Sequence, residues 1–150
     1  MLENLSQETS FGTVQDCAGK FGWPCLLPSA AGSTFPADRI TTNLNYTTGN
    51  FNMFINWRWI EGTENAAPLG SAFFGIPDPD LIIETIKSKN YVDPGFGYRF
   101  TDSIVGRLAI ANLGKTGPAF MADASFQANT DPGLYDLFGR SYTLSFSLQY

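Results

Sequence analysis

Few side chains in this sequence have the chemistry for catalysis or metal binding. The chain contains no histidine, which excludes His-based catalytic triads, HExxH metalloproteases and His-ligated zinc or haem. Its two cysteines, Cys17 and Cys25, lie in Asp16-Cys17-Ala18-Gly19-Lys20-Phe21-Gly22-Trp23-Pro24-Cys25. Two thiols without histidines make a poor zinc site and the spacing is not CxxC, which leaves a small loop disulfide or two free thiols. The run Ala109-Ile110-Ala111-Asn112-Leu113-Gly114-Lys115-Thr116 fits a relaxed Walker A pattern. A working P-loop needs glycines that turn its amides onto phosphate and a helix after it, and Gly117-Pro118 begins no clear helix. Asp78, Asp80 and Glu84 lack EF-hand spacing and the loop glycine, so a solvated loop outweighs a calcium site. Gly95-Phe96-Gly97 lacks the third glycine of a dinucleotide fingerprint and reads as small residues in a strand. No residue is assigned a catalytic role, no metal or cofactor is expected, and the chain does not read as an enzyme.

Composition narrows the partners. Charged residues make up 15% of the 150 residues, where roughly 25% is usual for soluble domains. Aromatic residues also reach 15%, and nine basic against fourteen acidic side chains give a net charge of -5. That balance gives phosphate-tracking nucleic-acid binding no electrostatic footing. No apolar run approaches the roughly eighteen residues of a transmembrane helix. The opening Met1-Leu2-Glu3-Asn4-Leu5-Ser6 has neither a basic nor an apolar signal region. The expectation is therefore either a cytoplasmic chain or the downstream part of a longer exported protein.

The elements that position these residues are strands, because the clearest pattern is alternation with period two. From Ser141 onward, Tyr142, Leu144, Phe146, Leu148 and Tyr150 are apolar and every residue between them is polar. Phe51, Met53, Ile55, Trp57 and Trp59 form a second apolar series, with Asn52, Asn56 and Arg58 among the residues opposite. Ile40, Leu44 and Tyr46 alternate with Arg39, Thr41, Asn43 and Asn45. Ile104, Leu108 and Ile110 alternate more weakly with Ser103, Val105, Arg107 and Ala109. Phe96, Tyr98 and Phe100 alternate with Gly95, Gly97 and Arg99, although Asp93-Pro94 leaves the start of that strand open. Strands are expected near 39–47, 51–61, 91–100, 103–112 and 140–150, with a faint sixth candidate at 1–8.

Thr47-Thr48-Gly49-Asn50 and Thr101-Asp102 read as tight turns, whereas roughly 9–37, 61–89 and 112–139 are long connections rich in Gly, Pro, Ser, Asn and Asp. Loops of that length are uncommon in compact domains. Short and long connections alternate, as they do in outer-membrane barrels with short periplasmic turns and long extracellular loops. The polar faces carry Asn, Thr and Ser rather than Lys and Glu, which suits a hydrated lumen. The apolar faces end in Trp57, Trp59, Tyr98, Tyr142 and Tyr150, residue types that gather at bilayer interfaces. The fold class expected is all-β, antiparallel up-and-down strands forming the C-terminal portion of a transmembrane β-barrel. The alternative is a soluble β-sandwich whose aromatic face is its core.

The stretch Ala128-Asn129-Thr130-Asp131-Pro132-Gly133-Leu134-Tyr135-Asp136-Leu137-Phe138-Gly139-Arg140-Ser141-Tyr142, running to the terminal Tyr150, resembles the end of TonB-dependent outer-membrane receptors. Ile110-Ala111-Asn112-Leu113 is similar to the element that ends their penultimate strand. Asp16-Cys17-Ala18-Gly19, Phe21-Gly22, Cys25, Pro36, Arg39 and Trp57-Arg58-Trp59 resemble a late-strand pattern of one subgroup. The likeness covers nearly the whole chain and departs from the family at Gly114-Lys115-Thr116-Gly117-Pro118. It implies a barrel of about twenty-two strands with an N-terminal plug and a segment that meets TonB. Only the last five or six strands fit in this chain, fewer than the roughly eight of the smallest single-chain membrane barrels.

The resemblance implies a segment of a receptor in the cell outer membrane, for TonB-coupled uptake of a large scarce solute such as a ferric siderophore, cobalamin or a glycan. Its partners would be outer-membrane lipid, the rest of the barrel and plug, the barrel-assembly machinery, and TonB through the part that precedes this segment. A passive channel segment and a soluble β module are the other classes. Cys17 and Cys25 are expected to form a disulfide in a loop on the extracellular rim. Tyr142, Leu144, Phe146, Leu148 and Tyr150 are expected to form a C-terminal assembly signal. Phe73, Phe74 and Phe120 are candidates for loops that contact ligand. Arg58, Arg99 and Arg107 would line a ligand path or, more in keeping with inward-facing residues, pair with loop or plug carboxylates.

Overall fold

The computed structural model describes residues 6–8, 14–25, 34–78, 80–121 and 129–149. In chain order the elements are β1 (Ser6–Glu8), β2 (Val14–Asp16), β3 (Lys20–Phe21), β4 (Thr34–Phe35), β5 (Arg39–Thr48), β6 (Phe51–Ile60), β7 (Thr63–Asn65), α1 (Ala67–Phe74), β8 (Thr85–Ile86), β9 (Lys89–Thr101), β10 (Ile104–Ala111) and β11 (Ser141–Leu148). They fall into two compact units. A sheet unit comprises residues 40–59, 90–117 and 138–150, and a loop unit comprises 1–39, 60–89 and 118–137.

The sheet unit is a five-stranded antiparallel meander in the order β5-β6-β9-β10-β11. Alternating sequence makes these strands, because each then presents one apolar and one polar face. Gly49-Asn50 joins β5 to β6 in two residues, and Asp102-Ser103 joins β9 to β10. The second turn falls one residue later than the expected Thr101-Asp102. Its cause is a register shift: Ile104 lies opposite Thr101 but Val105 lies opposite Arg99, which leaves Phe100 as an extra residue. Strand β9 starts at Lys89, a little before the expected 91, and runs through Asp93-Pro94. The β9–β10 pairing ends at Ala109 opposite Gly95, next to the proline that cannot donate. Beyond it the Asp93 carboxylate accepts the Asn112 N–H at 2.7 Å, and the Val92 carbonyl accepts the Leu113 N–H at 2.9 Å, so the strand continues on substitute bonds. Among the described residues the sheet is open, with β5 and β11 as its edges, and no closed barrel forms.

The faint strand at 1–8 is not a member of this sheet. Its described part, β1, pairs antiparallel with β2.

Most of the described residues of the long connections fold together as the loop unit. Its four-stranded sheet has the order β4-β3-β7-β8, with β3 and β7 parallel. Phe21 and Met121 are fully buried in this unit, and Ile86, Leu134 and Tyr135 are buried with them. The Thr34 hydroxyl donates to Met121 Sδ at 3.5 Å, tying the first connection to the third. Cys17 and Cys25 are joined in a disulfide, both buried in a cluster with Ala66 that Phe35 and Leu69 pack against. A ring this small contributes about 2–3 kcal/mol in the chain-entropy picture. On the surface of the unit, Lys20 Nζ lies 2.6 Å from Glu64 Oε2. This hydrogen bond, and then the ammonium charge, hold the Glu64 carboxyl below its ordinary value.

Helix α1 corrects the reading of Ala72-Phe73-Phe74-Gly75 as an aromatic loop. The Asn65 side-chain oxygen accepts the Ala67 N–H at 3.0 Å and Pro68 sits in the first turn, where its missing donor costs nothing. The Gly75 N–H bonds back to the Ser71 carbonyl and ends the helix. Eight residues without a charged side chain give no helical period to read in the sequence.

Candidate functional site

The feature that carries chemistry is the two-sided sheet. The register places Leu144 opposite Leu108, Tyr142 opposite Ile110, Phe146 opposite Gly106 and Leu148 opposite Ile104. On the next strand Tyr98 lies opposite Gly106 and Phe96 opposite Leu108. Phe51 stacks on Phe96 with centroids 6.5 Å apart, so β6 adds its own apolar series to the same face. Four of the five residues expected to form the C-terminal signal therefore share one face with the apolar residues of β9 and β10. Tyr142, Leu144, Phe146 and Leu148 are 62–68% exposed. Tyr150 lies outside the described residues. Near the Asp102-Ser103 turn, Tyr98 and Phe100 meet edge to face at 5.1 Å, and the rings of Phe100 and Phe146 close over bare Gly106.

The opposite face carries Arg107 opposite Ser145, Val105 opposite Ser147 and Ala109 opposite Thr143. It holds a hollow of about 420 Å³ whose lining includes Asn45, Thr47, Asn52, Phe54, Arg107 and Ser145. Two glycines allow side chains to lie against the sheet here. A Cβ on Gly95 would stand 2.1 Å from the Phe54 ring, and one on Gly97 would stand 2.2 Å from Asn52 Oδ1. Phe54 thus belongs to the polar face, where bare Gly95 makes room for its ring.

Asp93 organises the end of this sheet away from the tight turns. Its carboxylate takes the Asn112 N–H, the Asn56 amide at 3.5 Å and Arg58 Nη2 at 3.5 Å. The Arg58 guanidinium also stands 5.0 Å from the centre of the Tyr91 ring, within cation–π range. Sequence reading missed Asp93 as a site residue; its signal was the single carboxylate in a strand rich in aromatic residues and glycine. Asn112 then turns the chain with φ of 51°, and its side chain and Thr116 exchange two hydrogen bonds of 2.8 Å. Thr116 Oγ1 donates to the Asn90 carbonyl at 2.7 Å. The relaxed Walker A run is therefore the end of β10 and a closed asparagine turn.

The remaining candidates lie in the loop unit. Phe74 stacks near-parallel to Trp23 at 6.0 Å, and Phe120 is exposed; the side chain of Phe73 lies outside the described residues. Asp78, Asp80 and Glu84 border one hollow of about 390 Å³ with Glu64. No group of three or more metal-ligating side chains occurs among the described residues. Of the arginines singled out by sequence, Arg58 pairs with Asp93, while Arg99 and Arg107 border a smaller hollow together. Charge is divided unevenly between the units: the sheet unit holds five of the nine basic side chains but two of the fourteen acidic ones. Comparison with family models, curated proteins and solved structures finds no match for this chain.

Proposed function

We propose that this chain is a C-terminal wall segment of a TonB-dependent receptor barrel in the cell outer membrane. The whole receptor takes up a large scarce solute, and this segment does not function alone. The observation that carries the reading is the separation of the open sheet into an exposed aliphatic and aromatic face and a face richer in Asn, Thr, Ser and Arg. Lipid chains cover the first without cost, whereas water would leave at least one large apolar side chain hydrated on every strand and four on β11. A hydrated lumen suits the second. The edges β5 and β11 carry unpaired backbone groups that neighbouring strands of a larger barrel satisfy.

In this reading the alternating residues Tyr142, Leu144, Phe146, Leu148 and Tyr150 present the strand to the barrel-assembly machinery. The plug and the TonB-coupling segment belong to the part of the receptor that precedes this one. The test is fractionation of the whole gene product carrying a C-terminal tag. Recovery with outer-membrane markers, and solute uptake that stops when TonB is deleted, are expected. Uptake independent of TonB would favour a passive channel, and recovery as a soluble monomer would reject the membrane reading.

A further inference from the structure

Two arginines of the polar face stand beside each other without a counter-charge. Gly97 and Arg99 point to the same side of β9, and across the ladder Arg107 lies opposite Gly97 and Val105 opposite Arg99. Arg99 and Arg107 are thus diagonal neighbours on one face, close enough for long side chains of like charge to repel. Among the described residues neither makes an ion pair; Arg107 Nη1 donates to Ser147 Oγ at 3.3 Å. Both border a hollow of about 140 Å³, with Thr47, Asn50 and Asn52 as its other polar lining and no carboxylate. The Asn52 amide borders the same hollow and lies against Gly97, where a side chain would displace it.

The geometry points to a binding site for a compact oxyanion, a phosphate or carboxylate group of a small solute, held by Arg99 and Arg107 with Asn52 as a third donor. Guanidinium forks match the paired oxygens of such groups and bind them with charge-assisted hydrogen bonds. Neutral donors around them bind an anion without adding a competing negative charge. A hollow of this size takes one tetrahedral or planar anion rather than a length of polypeptide. A bound anion would also remove the repulsion between the two arginines. The inference rests on the register of the sheet and does not depend on the membrane reading.

The test uses the full chain, kept monodisperse in buffer or detergent, with ¹⁵N-labelled arginine and inorganic phosphate as the probe at low ionic strength. Saturable shifts of two arginine Nε–H resonances are expected. Arg99→Gln and Arg107→Gln should each remove one of these resonances and weaken phosphate binding about tenfold. Arg140→Gln, on an exposed arginine that donates to the Tyr142 hydroxyl, should change nothing. Gly97→Ala retains both charges but displaces Asn52, and should weaken phosphate several-fold with a normally folded spectrum. Shifts that grow linearly with salt, or that persist equally in the glutamine variants, overturn the site. So do Arg99 and Arg107 resonances that phosphate leaves unmoved because a carboxylate of the protein already holds them. Detergent partitioning measured on the same samples separates failure of this site from failure of the membrane reading.

Discussion

At the scale of single residues, Asp93 is the side chain on which most bonds converge. It accepts the Asn112 N–H just beyond the point where the β9–β10 ladder ends, and it partners Arg58, which is only partly exposed. Asp93→Ala should therefore destabilise the fold by roughly 1–3 kcal/mol, since it leaves the Asn112 N–H and a half-desolvated guanidinium unpaired. Asp93→Asn retains an acceptor for Asn112 and should cost less. The midpoints of urea unfolding for the two variants check this order; equal, wild-type midpoints would remove Asp93 as an organiser. Glu64 makes the complementary case of a surface pair. Its folded carboxyl is held below its ordinary value by Lys20, so its contribution is present above the unfolded value and is lost as pH falls through the lowered folded one. Because the carboxyl is exposed, salt should reduce that contribution. Acid unfolding curves of wild type and Glu64→Gln should diverge least at the lowest pH, and curves that diverge only there would contradict the pairing.

At the scale of elements, β11 gives the sharpest test because its two faces differ so completely. Leu144 faces Leu108 on the apolar side, and Ser145 faces Arg107 on the polar side. Within a membrane barrel a cation on the lipid face costs roughly 2–4 kcal/mol near the midplane, while a lumen position tolerates it. Leu144→Arg should reduce the folded receptor in outer membranes far more than Ser145→Arg, as read by heat-modifiable mobility on gels. Equal tolerance of the two would count against the face assignment. The faces of the strands were legible from alternation, since a slip of one residue would exchange every apolar side chain for a polar one. The Phe100 bulge and the bonds that carry β9 past Pro94 were not legible. Both depend on which groups the neighbouring strands offer, and no local pattern records that.

At the scale of the whole molecule, the sheet unit has open edges and an unclosed wall among the described residues, and an unclosed wall encloses no path. Liposomes containing only this chain should pass solute no faster than empty ones; flux above that baseline, blocked by removal of the chain, would contradict the proposed role. The sequence by itself determined the five long strands, their faces and the turn at Gly49-Asn50, and it placed the second turn to within one residue, because period-two alternation and turn residues are local properties that any burial geometry must respect. It also placed Cys17 and Cys25 where a small ring can close. Only the tertiary structure decided that most described residues of the three long connections share one unit, that Ala66 and Leu69 pack at that disulfide, that Ala67–Phe74 is a helix, and that Arg58 has Asp93 while Arg99 and Arg107 face a hollow. Those outcomes depend on contacts between residues far apart in the chain, whose energies arise only once the backbone has brought them together.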